Sequence, residues 1–125
     1  MIRSLFPLAL LAALAGVPAL AATGVATGET ALGPVLTDAA GMTLYTFDKD
    51  MGGASACYDD CAVNWPPLLA PADAAAEGDY VPSARKDGTM QWTYKGKPLY
   101  TWAKDSKPGE TTGEGVKGVW HVAKP

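Results

Sequence analysis

The chain has 125 residues, of which 48% are hydrophobic and 18% charged, with a formal net charge of −3. That length carries one modest core and leaves no room for a second full domain. The acidic balance, with no basic cluster, excludes nucleic acid and anionic membrane surfaces as expected partners.

The first expected element is a signal peptide over residues 1–21. Arg3 supplies a positive start, residues 5–17 are almost wholly apolar, and Ala19-Leu20-Ala21 has the small-x-small form of a cleavage site. Pro7, Gly16 and Pro18 interrupt the run, which is short for a membrane span, so stable membrane insertion after cleavage is not expected. Cleavage after Ala21 removes Arg3 and leaves nine basic residues against thirteen acidic ones in a single exported domain, residues 22–125.

Two β-rich runs in "GPVLTDAAGMTLYTF" flank "DAAG", and two more in "TMQWTYKGKPLYTW" flank "KGKP"; both segments read as β-hairpins with a glycine in the turn. The period of two puts Tyr45 and Phe47 on one strand face and Leu44 and Thr46 on the other. Tyr100 and Trp102 repeat the pattern, and Trp92 with Tyr94 is expected to extend the aromatic face on the partner strand. "SACYDDCAVNW", begun by a Ser55 cap and stopped by Pro66-Pro67, is the expected helix. "APADAAAEGD" suits either a helical turn or a surface connection, "DSKPGETTGEGVKG" is a loop, and "GVWHVA" is a closing strand.

Cys57 and Cys61 are four residues apart in a chain expected to be exported, so a disulfide is the leading expectation. In a regular helix their β-carbons would lie about 5–6 Å apart, so a bridge needs a turn or a distorted first helical turn. A redox-active or metal-binding pair is the alternative; no neighbouring base would depress a thiol, and Ala62 stands where haem attachment needs histidine.

The chain contains itself twice. An offset of 55 carries Gly41 to Gly96, Leu44 to Leu99, Tyr45 to Tyr100, Thr46 to Thr101, Lys49 to Lys104, Asp50 to Asp105 and Trp65 to Trp120. The repeats span about 35–67 and 90–122, and two copies that cannot bury their own apolar faces should pack on each other. The expected fold is therefore all-β, mainly antiparallel, with one or two short helices and two pseudo-symmetric repeats in one small domain. The twice-used Tyr-x-aromatic-x-x-Asp phrase, with "CYDDCAVNWPPL" and "GVWHVAKP" in order, resembles the bacterial secreted-repeat lipoproteins with a Yx(FWY)xxD motif. The resemblance covers nearly all of the exported chain and implies an exported, often lipid-anchored protein with no established biochemical function. The lipobox cysteine of that family is missing here.

Each candidate site has a plain structural reading beside the chemical one. The motif residues Tyr45, Phe47, Tyr100 and Trp102, with Trp65 and Trp120 as a structural pair, form either a core or a stacking platform for a flat ligand such as a glycan; the core is favoured. Asp50 and Asp105 end their strands, where a carboxylate accepts backbone N–H groups and fixes the following loop. Asp48, Asp50, Gly53 and Asp59 partly match a calcium loop, but its other ligand positions are empty, and no metal or other cofactor is expected. Neither a nucleophile with a base nor a separated carboxylate pair supports an enzyme. The expected function is a non-catalytic binding or structural accessory of the cell envelope, periplasmic or secreted, meeting an envelope partner or small ligand. The competing class is a redox or copper-type metal-handling protein using Cys57, Cys61, His121 and the methionines Met42, Met51 and Met90. A ligand site is expected among positions the copies do not share: Asp48, Asp59, the Cys57–Cys61 loop and His121.

Overall fold

The computed structural model describes residues 23–125, so the expected signal peptide over 1–21 lies outside the described residues. Short antiparallel strands dominate. Strands β1 (Ala26–Thr30) and β2 (Gly33–Thr37) form a hairpin. β3 (Tyr45–Phe47) pairs with β8 (Trp120–Val122), joining the first motif to the end of the chain. At the centre of the third sheet is β6 (Met90–Tyr94), flanked along one edge by β5 (Tyr80–Ala84). Its other edge is shared by β4 (Leu69–Ala70) and β7 (Lys97–Pro98). A helix, α1 (Asp60–Asn64), and a 3-10 turn over Val116–Gly118 complete the regular structure of the described residues.

The three sheets are stitched together where the repeats meet. Tyr45 N–H donates to the Tyr100 carbonyl at 2.7 Å and Tyr100 N–H returns the bond to Tyr45 at 3.0 Å. This reciprocal pair marks a pseudo-twofold axis through the two motif tyrosines, and the copies therefore join edge to edge. Farther along, Leu36 N–H donates to the Ala123 carbonyl and Ala123 N–H to Leu44, both at 2.8 Å, which ties the last strand between the first repeat's two runs.

Alternation along the motif strands separates two cores. Tyr45 and Tyr100 enter one with Val35, Cys57, Trp65, Trp120 and Val122. Leu44 and Leu99, one position earlier, face the other with Leu36, Trp92 and Ala123. Each motif strand is thus sandwiched, which is why Leu44, Tyr45, Leu99 and Tyr100 are all fully buried.

Three local expectations are corrected. The first hairpin closes only near its turn, where Asp38 N–H bonds Met42, Thr37 bridges Thr43 and Leu44 N–H bonds Leu36; beyond it, β3 leaves β2 for β8 because Ala123 enters between Leu36 and Leu44 and takes the bonds that would continue the ladder. Trp92, flanked in its core by Tyr94, lies in the leucine core rather than on the Tyr45 face. The helix covers only Asp60–Asn64 and has no side-chain cap. Ser55, the expected cap, instead receives the Cys57 N–H at 3.0 Å.

Candidate functional site

The motif carboxylates do more than start their loops. Asp50 Oδ1 accepts the Ala56 N–H at 2.7 Å, and Asp105 Oδ1 accepts the Thr112 N–H and hydroxyl at 3.0 and 2.6 Å. The second oxygen of each crosses to the other repeat: Tyr45 donates its phenol to Asp105 Oδ2 and Tyr100 donates to Asp50 Oδ2, each at 2.6 Å. A repeat therefore supplies the tyrosine for its partner's aspartate. Burial, reinforced by the Asp105 bond, holds the Tyr45 phenol well above its ordinary pKa; burial and Asp50 do the same to Tyr100. Burial also raises Asp50, against the pull of the Tyr100 and Ala56 hydrogen bonds.

Beside these crossed bonds four aromatic rings stack into a column. Phe47 lies 4.1 Å from Trp120, Trp120 lies 3.8 Å from Trp65, and Trp65 lies 4.0 Å from Trp102, all stacked. The pseudo-twofold exchanges the end rings, Phe47 and Trp102, and the middle rings, Trp65 and Trp120. Tyr45 meets Trp65 edge-on at 5.4 Å and Tyr100 meets Trp120 at 5.1 Å. The middle indoles are buried and the end rings are partly exposed. A groove of about 330 Å³ runs along the column's edge, lined by Phe47, Trp65, Trp120, Cys61, Lys49 and Lys117. Gly113 packs closely against the column: its N–H reaches Tyr45 Oη at 3.1 Å, and a β-carbon there would lie 2.8 Å from both Trp65 and Tyr45.

Cys57 and Cys61 form a disulfide, with α-carbons 5.2 Å apart. Cys57 precedes the helix and Asp59 has a positive φ of 55°, which breaks the helical path and brings the cysteines together. Arg85, just after β5, anchors this loop. It donates to the Cys57 carbonyl at 2.8 Å, to Ser55 at 3.0 Å and to Gln91 at 2.8 Å, with its guanidinium over the Tyr58 ring. Its buried Nε makes no hydrogen bond, and the Asp87 carboxylate stands 3.8 Å away.

On a separate face, β8 presents His121 between two carboxylates. Nε2 is 3.0 Å from Asp48 and Nδ1 is 2.9 Å from Glu114. The Glu114 bond, then the Asp48 bond, raise the imidazole pKa above its usual value. Burial alone would raise Glu114, but hydrogen bonds from the Val122 N–H and His121 hold it below the usual range. These partners stabilise the folded state fully below the unfolded histidine pKa of about 6.5, and the contribution fades as pH rises through the higher folded value. Because His121 is 42% exposed, the expected effect on stability is at most about 1 kcal/mol. Melting temperature measured across this window should fall with rising pH, and His121→Asn should flatten that part of the profile.

Beside His121 a cavity of about 360 Å³ is lined by Asp48, Tyr94, Lys95, Lys97 and Lys124 among others. Lys95 is held at the tip of the β6–β7 turn with a positive φ of 50°. Lys124 donates to the Leu32 carbonyl at 2.7 Å. Both ring nitrogens of His121 are occupied, which leaves none free as a base or metal donor.

Of the candidate ligand residues, Asp48 and His121 come together, whereas Asp59 is exposed beside the helix. The partial calcium loop does not converge: Asp48 faces His121 and Asp50 faces Tyr100 and Ala56. Among the described residues no three His, Cys, Asp or Glu side chains surround a common metal position. Met51, one of the soft donors considered, is 80% exposed. Sequence reasoning missed Glu114, Arg85 and the three pocket lysines. The β-hairpin reading of "KGKP" could have pointed to Lys95 and Lys97, since it places both at one turn.

Among the described residues no helix is long and apolar enough to cross a membrane. No curated protein and no solved structure matches the chain. A family model described as a secreted repeat of unknown function matches twice, over residues 26–69 and 82–124. With both copies braced across one axis and together covering most of the sequence, the chain belongs to the family of secreted repeats of unknown function.

Proposed function

We propose that the protein is a non-catalytic binding domain of the cell envelope, periplasmic or secreted, whose pocket beside His121 takes a small anionic ligand. The observation that carries this reading is the collection of Lys95, Lys97 and Lys124 around one cavity against a single lining carboxylate, Asp48, in a chain of net charge −3. A cavity of about 360 Å³ falls at the small end of the range for ligand sites, about 300–1,000 Å³. Three lysines on one rim favour a carboxylate or phosphate group and steer it toward the cavity. Asp48 and Glu114 occupy both ring nitrogens and their charges offset that of the imidazole, so the lysines supply the attraction and His121 transfers no proton.

Citrate and inorganic phosphate serve as probes in calorimetric titrations. At least one should bind, and the affinity should weaken as salt is added. The double variant Lys95→Glu/Lys97→Glu should bind at least about tenfold more weakly, equivalent to about 1.4 kcal/mol. Because both lysines are exposed, its melting temperature should barely change. Failure of the wild type to bind either anion, or equal binding by the double variant, refutes the anionic-ligand reading.

A further inference from the structure

We propose that the tryptophans of the stacked column and the two carboxylate-bonded tyrosines form a one-electron relay that reduces oxygen-centred radicals outside the protein. The proposal is independent of the anion pocket and adds an electron-transfer activity to a chain whose binding pocket is itself non-catalytic. Its basis is continuous contact: Trp102 stacks on Trp65 at 4.0 Å and Trp65 on Trp120 at 3.8 Å. Trp102 is partly exposed at one end, and the groove of about 330 Å³ opens along Trp65 and Trp120. Indole loses one electron more readily than any other uncharged side chain except phenol coupled to proton transfer. Phe47, whose ring is far harder to oxidise, caps the other end without joining the relay.

Each inner indole has its own phenol. Tyr45 touches Trp65 and Tyr100 touches Trp120, and both hydroxyls donate at 2.6 Å to a carboxylate oxygen. An oxygen-centred radical takes one electron from Trp102 and one proton from solvent, becoming a hydroperoxide or alcohol. An electron from Trp65 fills the Trp102 vacancy, and Trp120 can in turn reduce Trp65. Tyr45 then reduces Trp65, or Tyr100 reduces Trp120, as the phenolic proton passes to Asp105 or Asp50. The products are a neutral tyrosyl radical and a protonated aspartate. A soluble thiol or ascorbate-type donor returns the electron, and the proton goes back to the phenol. Packing accounts for the ring contacts. The further fact is that both phenols beside the central indoles have an ionisable acceptor at the same short distance, the arrangement that proton-coupled oxidation requires.

Photo-oxidised ruthenium tris-bipyridine, generated by flash and quench, is the test oxidant, with transient absorption as readout. In the wild type, the tryptophanyl signal should convert to a tyrosyl signal, and the conversion should slow in deuterated solvent. The variant Tyr45→Phe/Tyr100→Phe should keep its near-ultraviolet circular dichroism and lengthen the tryptophanyl lifetime at least about tenfold, the change made by about 1.4 kcal/mol in a barrier. The three partly exposed tyrosines, Tyr58, Tyr80 and Tyr94, remain in that variant, so it separates the two relay phenols from bystanders. Trp102→Phe should lower the initial tryptophanyl yield while leaving Trp92, in the other core, untouched. Unchanged decay in the double variant, or no tyrosyl signal in the wild type, overturns the relay. Should the double variant fail to fold, absence of the solvent isotope effect in the wild type overturns it equally.

Discussion

Replacing Trp65 with alanine should destabilise the domain by about 3–5 kcal/mol, whereas the same change at Trp102 should cost clearly less. Trp65 is 5% exposed and contacts three aromatic rings: Trp120 and Trp102 on its faces and Tyr45 at its edge. Its removal deletes the middle of the column and leaves a void bounded by indoles and by Gly113. The glycine lies where a β-carbon would meet Trp65 at 2.8 Å, so backbone packing there is already close and has little freedom to refill the space. Trp102 stacks on one face only and is partly exposed, so water can occupy the place its ring leaves. Since domains of this size are stable by about 5–15 kcal/mol in all, Trp65→Ala approaches the unfolding threshold. Urea titration followed by far-ultraviolet circular dichroism reads both costs. Equal losses at the two positions would show that the column is not held from its centre.

The sequence carries part of this arrangement openly. The alternation of Leu44 with Tyr45, and of Leu99 with Tyr100, encodes the two-sided burial of the motif strands, and the offset between copies implies a shared core. The Cys57–Cys61 bridge is expected from two close thiols in a chain read as exported, provided the turn is distorted, and the positive φ of Asp59 supplies that distortion. Other features stay hidden for identifiable physical reasons. β1 reads weakly because "ATGET" offers no apolar alternation, being mostly exposed on a two-stranded hairpin. β5 contains Pro82, which suits an edge strand but disrupts any strand pattern sought in isolation. The first hairpin is misread because local pairing signals cannot weigh β8, some seventy residues away, as a competitor for Tyr45–Phe47. Pairings such as Asp48 with His121, or Arg85 with the Cys57 carbonyl, depend on the way loops return to one another. Residue types announce such bonds only as possibilities.

The crossed tyrosine–aspartate bonds give the repeat its strongest internal test. Asp105→Ala should cost about 3 kcal/mol, and Asp50→Ala should cost less, because losing a carboxylate acceptor from buried donors removes about 1.5–3 kcal/mol per charged bond before the burial penalty of the aspartate is returned. Asp105 is 7% exposed and holds three donors: the Tyr45 phenol and the N–H and hydroxyl of Thr112. Without it, Tyr45 keeps a fully buried hydroxyl whose remaining bond is from the Gly113 N–H, an arrangement in which the hydroxyl accepts but does not donate. Asp50 is less buried and is raised in pKa by its partial desolvation, and Tyr100 also has Ser55 at 2.7 Å as an alternative partner. A double-mutant cycle of Tyr45→Phe with Asp105→Ala should give a coupling of about 1–3 kcal/mol, because the two groups share one bond and each is costly when stranded alone. The corresponding cycle between Tyr45 and Asp50, which belong to the same copy of the motif but do not meet, should be additive within about 0.5 kcal/mol. Strong coupling within a copy and none across copies would show that each repeat is self-contained. The reverse pattern would establish that each motif completes itself only in its partner, which explains why a phrase ending in aspartate must occur twice to fold once.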